Sequence, residues 1–341
     1  MLKLSGVAVF LLTALAAPQT HLQTSSAADE LTEARQDLEN GRSREAIPIL
    51  EKLNQASPRW KGVAHDLGLA CYRNSRLVEA RDAFARALED DAGDEESVQM
   101  LGLTLYRMGQ PAAAIPYLER VRRWTPSSEA DANYVLGLCY LNAQRYEEAR
   151  KSFAAQYGVQ AESGPAYLLL GTMLMNANLP ERAADAARKA LQLSPALPLA
   201  HFTLGEVALF KSSVEEALAE FEAERQVNPG YAPVYDRLGD AYLRTERYQE
   251  AQQALMKAIS IDTSRTGPFI LMGKVLLKRH DPQSALLYLK HAEKMDPNNF
   301  MTHTLLGHAY RSLGQEEDAK RELTMAGKIQ AAGEVKLESP Q

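Results

Sequence analysis

The side chains able to do chemistry are few in this sequence, and they are far apart. Seven histidines are scattered over 341 residues. His303 and His308 come nearest to a metal-binding pair, but a five-residue spacing puts them on different faces of a helix. No carboxylate completes a His-Glu-x-x-His motif around them. The two cysteines, Cys71 and Cys139, are too few for a disulfide framework. Arg120, Arg122 and Arg123 form the densest basic cluster, placed at the end of a helix where it complements the helix dipole on a solvated face. The glycines keep a regular beat, which marks them as packing residues and not as phosphate loops. Nothing here assembles a nucleophile, a base and an oxyanion site. The chain therefore reads as non-catalytic, without cofactor or metal, and its function has to lie in a surface.

That beat is a 34-residue period, and it defines the elements that must build the surface. Leu67-Gly68 returns as Leu101-Gly102, Leu136-Gly137, Leu170-Gly171, Leu204-Gly205, Leu238-Gly239, Met272-Gly273 and Leu306-Gly307. One interval, from Gly102 to Gly137, is 35 residues. Twelve residues after each glycine stands an alanine: Ala80, Ala114, Ala149, Ala183, Ala217, Ala251, Ala285 and Ala319. Ala46 carries the series one unit back, to a repeat with Ala34 in the glycine slot. Nine units fill residues 27–333, and a period of this size means stacked repeats. Each unit has two apolar runs of helical period around a short polar turn. Gly41, Gly109 and Gly314 sit in that turn, where a left-handed residue can end the first helix. Pro111, Pro180 and Pro282 open second helices. Pro58, Pro126, Pro195, Pro229 and Pro297 stop them. Pro48 and Pro116, inside second helices but near their starts, should bend them slightly without breaking them.

The markers within a unit resemble the tetratricopeptide repeat family, a 34-residue helix–turn–helix with spaced Trp, Leu-Gly, Tyr, Ala, Phe and Pro positions. One unit reads Asn133, Leu136-Gly137, Tyr140, Ala149, Phe153; another His201, Leu204-Gly205, Ala208, Ala217, Phe221, Pro229; a third Tyr235, Leu238-Gly239, Tyr242, Ala251, Leu255. The resemblance covers about nine tenths of the chain. It implies an all-α fold, an α-solenoid of about nine hairpins wound into a right-handed superhelix. It also implies that the first helix of each unit lines a concave groove in which partner peptides lie.

The ends and the charge set further expectations. Lys3 followed by the apolar stretch Leu4–Ala17 and small residues has the form of a secretory signal peptide, here residues 1–17, with a linker at 18–26. The apolar stretch is shorter than the roughly 20 residues a membrane-spanning helix needs. The expectation is export, to a bacterial periplasm or beyond the cell, with membrane anchoring by an uncleaved leader as the alternative. Ser26 and Asp29 resemble a capping box for the first helix. At the other end a polar tail, 334–341, leaves the last unit covered by Val335 and Leu337 or open to self-association. The formal net charge of −6 argues against a nucleic-acid partner, which wants a basic stripe. Cys71 and Cys139 lie two units apart, on the order of 20 Å if successive layers are about 10 Å thick, too far for a disulfide.

In the groove, the inward slots fall three before the marker glycine and one and four after it, which keeps them on one helical face. They give His65, Leu69, Tyr72; Gln99, Leu103, Tyr106; Tyr134, Leu138, Leu141; Leu168, Thr172, Met175; and Phe202, Glu206, Leu209. The last three units give Asp236, Asp240, Leu243; Ile270, Lys274, Leu277; and Thr304, His308, Arg311. The first five units are mainly apolar and the last three mix charges. An apolar stripe beyond what hairpin packing needs marks a partner surface. The expected partner is a protein or peptide segment, oriented by Arg73, Arg107, Arg244 and Lys278 at the rim. Family members that clamp the acidic C-terminus of heat-shock chaperones carry a groove Lys with an Asn one turn later, and no unit here has that pair. A rival reading makes Tyr72, Tyr106 and Tyr134 stacking platforms for an envelope polysaccharide.

Overall fold

The marker glycines and alanines sit where helices meet. In the computed structural model, backbone is described for residues 19–56, 60–122 and 132–338, and side chains within 27–332. The expected leader, Pro58, Arg123 and Pro126 lie outside the described residues. The chain divides into two compact units, Met1–Ser152 and Phe153–Gln341. The first holds α1 (Gln19–Glu39) with α2 (Ser43–Asn54), α3 (Val63–Arg73) with α4 (Leu77–Asp90), α5 (Glu95–Arg107) with α6 (Pro111–Arg120), and α7 (Ala132–Asn142). Helix α8 (Tyr146–Gln156) crosses the division. The second holds α9 (Gly164–Asn176) with α10 (Pro180–Leu193), α11 (Ala200–Phe210) with α12 (Val214–Val227), and α13 (Ala232–Arg244) with α14 (Tyr248–Ile261). It ends with α15 (Thr266–Lys278) and α16 (Pro282–Met295), then α17 (Phe300–Ser312) and α18 (Glu316–Glu338). The fold is all-α, and no strand occurs among the described residues.

The hairpin is built around one contact. A Cβ added to Gly68 would fall 2.5 Å from the Phe84 ring, and one at Gly239 or Gly273 would fall as close to Leu255 or Leu289. At Gly68, Gly102, Gly205, Gly239, Gly273 and Gly307 the facing side chain lies sixteen positions after the glycine, on the second helix. The marker alanines are fully buried beside it: Ala80, Ala114, Ala217, Ala251 and Ala285 are 0% exposed. Interiors packed at crystal density leave no room for a larger side chain at either position.

The turn between the two helices has one conformation throughout. Gly41, Gly109 and Gly314 take φ of 76°, 74° and 74°, as the sequence predicts. The equivalent residues elsewhere, Ser75, Gln144, Asn178, Ser212, Glu246 and His280, hold φ between 57° and 61° without being glycine. A left-handed L-residue costs roughly 1–2 kcal/mol, so packing on both sides of the turn enforces it. The prolines act as expected where described. Pro111, Pro180 and Pro282 occupy the first turn of α6, α10 and α16. Pro48 and Pro116 lie within unbroken α2 and α6.

The ends differ from expectation. Helix α1 starts at Gln19, so most of the expected linker is helical and Ser26 cannot be its cap. Helix α18 runs on to Glu338, so the backbone at Val335 and Leu337 continues the helix and does not turn back over the edge. Cys71 and Cys139 are free and buried.

Candidate partner-binding faces

In the first unit, the slots of α3, α5 and α7 divide into two kinds. His65, Leu69, Tyr72, Tyr106, Tyr134 and Leu138 are half-buried, with part of each side chain facing solvent. Leu103 and Leu141 are only 3% and 6% exposed, and Gln99 is 1% exposed. Those three are buried and offer no surface to a partner, which corrects their placement in the groove. His65 is tied down at both ends of its ring. Its Nδ1 lies 2.8 Å from Ser97 Oγ, and the ring meets Phe84 edge-on at 5.9 Å. Tyr72 is covered on one face by the Arg107 guanidinium, 4.5 Å from the ring centroid. Tyr106 carries no such lid among its described contacts. Burial pushes its hydroxyl above the ordinary range, with Cys139 and Tyr134 near enough to add to the effect.

In the second unit, Leu168, Met175, Phe202 and Leu209 are half-buried, and Thr172 is exposed. Phe202 packs between Phe221, at 5.6 Å, and Tyr231, edge-on at 5.3 Å. Tyr231 precedes α13 and lies outside the 34-residue slots, so periodicity alone could not find it. Leu209 also rests against the core. Further on, Leu243 is buried and Asp236 is 8% exposed. Burial raises the Asp236 carboxyl above its ordinary value, partly offset by Arg265, whose Nη2 donates to Oδ2 at 3.3 Å. Ile270, Lys274, Leu277 and Thr304 are half-buried, while His308 and Arg311 are exposed.

The charges expected to greet a partner are largely occupied. Arg73 donates to the Leu38 carbonyl at 2.9 Å and Arg107 to the Tyr72 carbonyl at 3.1 Å. Each reaches back 35 residues to satisfy a helix-end carbonyl of the preceding repeat. Arg244 pairs with Asp240 at 2.9 Å, whereas Lys278 is exposed. Arg120 donates to the carbonyl of Ala92. Glu206 holds Arg237 through two hydrogen bonds, at 2.6 and 3.1 Å. In the first unit Arg35 pairs with Asp66 at 2.8 Å. Both pairs span 31 residues, with the acid and base exchanged. That fixed spacing is a signal the sequence carries, and one member of each pair, Arg35 and Glu206, stands in the slot one after the marker position.

Tyrosines at the slot three after the glycine brace the hairpins. Tyr242 donates its hydroxyl to Glu222 Oε1 at 2.7 Å, beneath Arg247 at 4.5 Å. In the first unit Tyr140 makes the same contacts with Glu119 and Arg145. Burial first, then the carboxylate that accepts the hydroxyl proton, pushes each phenol up to about 12. An acid whose folded pKa is raised stabilises the fold below its unfolded value, about 10 for tyrosine. That contribution is lost as pH rises from 10 towards 12. Tyr242→Phe is therefore expected to flatten the alkaline fall in stability, checked by denaturant unfolding across that window.

These elements correspond to a known family. Models of the tetratricopeptide repeat match residues 31–95, 100–165, 168–232 and 232–265. The chain belongs to the tetratricopeptide repeat family. Beyond the matched residues, α15–α16 and α17–α18 keep the same glycine and alanine markers. Among its relatives, anaphase-promoting complex subunit 3 of Schizosaccharomyces pombe is 20% identical over 283 residues, 83% of this chain and 42% of that protein. A BBSome complex member BBS4 homolog of Drosophila melanogaster is 20% identical over 312 residues, 87% of this chain and 64% of that protein. The type IV pilus assembly protein PilF of Pseudomonas aeruginosa is 30% identical over 142 residues, 40% of this chain and 55% of that protein. The chain thus spans less than two thirds of each. Among solved structures, YrrB, described as a TPR protein with an unusual peptide-binding site, is 23% identical with a TM-score of 0.47. It aligns with 54% of this chain and 94% of its own. MamA is 19% identical with a TM-score of 0.45, over 48% of this chain and 95% of its own. No helix among the described residues is long and apolar enough to cross a membrane.

Proposed function

We propose that this chain is an exported, non-catalytic scaffold that holds segments of partner proteins against the first-helix faces of its repeats. The observation that carries the reading is the set of half-buried apolar and aromatic side chains at the inward slots. Leu69, Tyr72, Tyr106, Tyr134 and Leu138 supply it in the first unit, and Leu168, Met175, Phe202 and Leu209 in the second. Hairpin packing runs mainly through the marker glycines and alanines and the residues facing them; Phe202 and Leu209 also touch the core, yet each of these slots keeps part of its apolar surface exposed. Relatives named as members of the anaphase-promoting complex and of the BBSome support a scaffold role. The glycan reading is weakened by Arg107, which occupies a face of Tyr72 that a sugar ring would need. Export rests on the form of the leader, Lys3 with the apolar stretch that follows it.

A photo-crosslinking residue placed in the exported chain at Tyr106 or Phe202 is expected to capture a partner protein. The same residue at Leu287, 74% exposed on a second helix, is expected to capture none. Equal capture at all three positions would place the partner surface elsewhere. Recovery of the chain only in the cytoplasm, with its leader intact, would remove the export.

A further inference from the structure

Three ligand atoms converge at the C-terminal repeats, from three different helices. Glu293 of α16, His303 of α17 and Glu322 of α18 each place one ligand atom within 4.8 Å of the others. His303 and Glu322 are each 4% exposed. The ring of His303 is oriented by its surroundings. Its Nε2 lies 2.9 Å from the Pro297 carbonyl, which can only accept, so Nε2 carries a hydrogen. That contact fixes the tautomer with its lone pair on Nδ1 whenever the ring is neutral. Nδ1 faces Glu322 Oε2 at 2.8 Å. The other oxygen of Glu322 lies 3.4 Å from Arg321 Nη2, which holds the carboxylate in place. A histidine with its far nitrogen on a carbonyl, beside an oriented carboxylate, has the supporting contacts that metal-ligating histidines use.

We propose that Glu293, His303 and Glu322 form a site for one divalent transition-metal cation of the zinc type. The site already draws a cation: Lys290 Nζ lies 3.0 Å from Glu293 and 3.9 Å from Glu322. A divalent ion would take that place as Lys290 withdraws. Lys290 has somewhere to go: it is partly exposed, and the Tyr310 ring lies 5.5 Å from Nζ. Tetrahedral zinc bonds of about 2.0–2.1 Å separate neighbouring ligand atoms by roughly 3.3 Å. The Nδ1 to Oε2 gap therefore opens by only about 0.5 Å. One imidazole with two carboxylates suits zinc better than calcium or magnesium, which take six or more oxygens or keep their water. His201 and Glu220 repeat the histidine–glutamate contact at 2.7 Å in α11–α12. There the position of Glu293 is Leu191, so the third ligand is missing. Binding would staple α16, α17 and α18 together at the end of the repeat array.

The test is zinc titration into the full chain after chelator treatment, followed by calorimetry and thermal melting. The wild type is expected to bind one Zn2+ per chain and to melt higher with it. Glu293→Gln, a half-buried change that spares the fold, is expected to weaken binding at least about tenfold. Lys290→Met, which removes the competing cation, is expected to tighten it. His303→Gln is expected to abolish it, and His201→Gln to leave it unchanged. If His303→Gln disturbs the last hairpin, the Glu293 and Lys290 variants carry the test. The proposal is overturned by a Kd weaker than about 0.1 mM in the wild type, or by an affinity unchanged in Glu293→Gln or in Lys290→Met.

Discussion

Gly205→Val is expected to unfold the chain at a lower denaturant concentration than the wild type withstands, whereas Gly171→Ala should leave it as stable or slightly more so. A Cβ at Gly205 would stand 2.4, 2.6 and 2.8 Å from Cε1, Cδ1 and Cζ of Phe221. Phe221 is 0% exposed and wedged against Phe202, so it cannot step aside. Forcing extra carbons into such a site costs about 1–3 kcal/mol, sometimes more. At Gly171 the nearest side-chain atom is Ala186 Cβ at 3.6 Å, and the nearest atom of any kind to an added Cβ is the Ala183 carbonyl oxygen at 3.3 Å. A few tenths of an ångström of adjustment then suffices. Glycine to alanine inside a helix returns up to about 1 kcal/mol. Denaturant midpoints, compared at equal slope, read the difference. Equal damage from both substitutions would mean that the backbone, and not the facing side chain, demands glycine.

The same contact explains how much of the fold the sequence could reveal. Small residues recur every 34 positions because the facing helix recurs, so hairpin number, helix order and turn position were all readable. The turn was only half legible. Glycine announces a left-handed residue at Gly41, Gly109 and Gly314, but Ser212 and Glu246 adopt it under tertiary constraint that no local pattern displays. The inward face was legible as a face and not as a depth. Leu103 and Tyr106 share it, yet one is core and the other half-buried, a difference of depth that helical periodicity does not encode. Arg73 and Arg107 looked free at the rim because a carbonyl 35 residues away leaves no mark on composition. In the sequence His303 stands nearest to His308, five residues along one helix. Its companions lie ten residues before and nineteen after, on other helices.

Tyr106→Ala is expected to weaken partner binding by at least about tenfold while lowering the melting temperature only modestly. Aromatic anchors buried by a partner often contribute about 2 kcal/mol or more, and roughly 1.4 kcal/mol is a factor of ten. Tyr106 keeps part of its ring in solvent, beside Tyr134 and Cys139, so truncation removes surface offered to a partner and little of the hairpin's own packing. Leu103→Ala, three residues earlier on α5, should do the reverse. Leu103 is 3% exposed, and losing a leucine from a core costs about 2–5 kcal/mol. Its effect on binding per folded molecule should be small. The pair is measured together: melting temperature for each variant, then affinity for the captured partner corrected for the folded fraction. If Tyr106→Ala unfolds the protein and leaves binding per folded molecule intact, the aromatic run is core, and the ligand surface must be sought on the second helices.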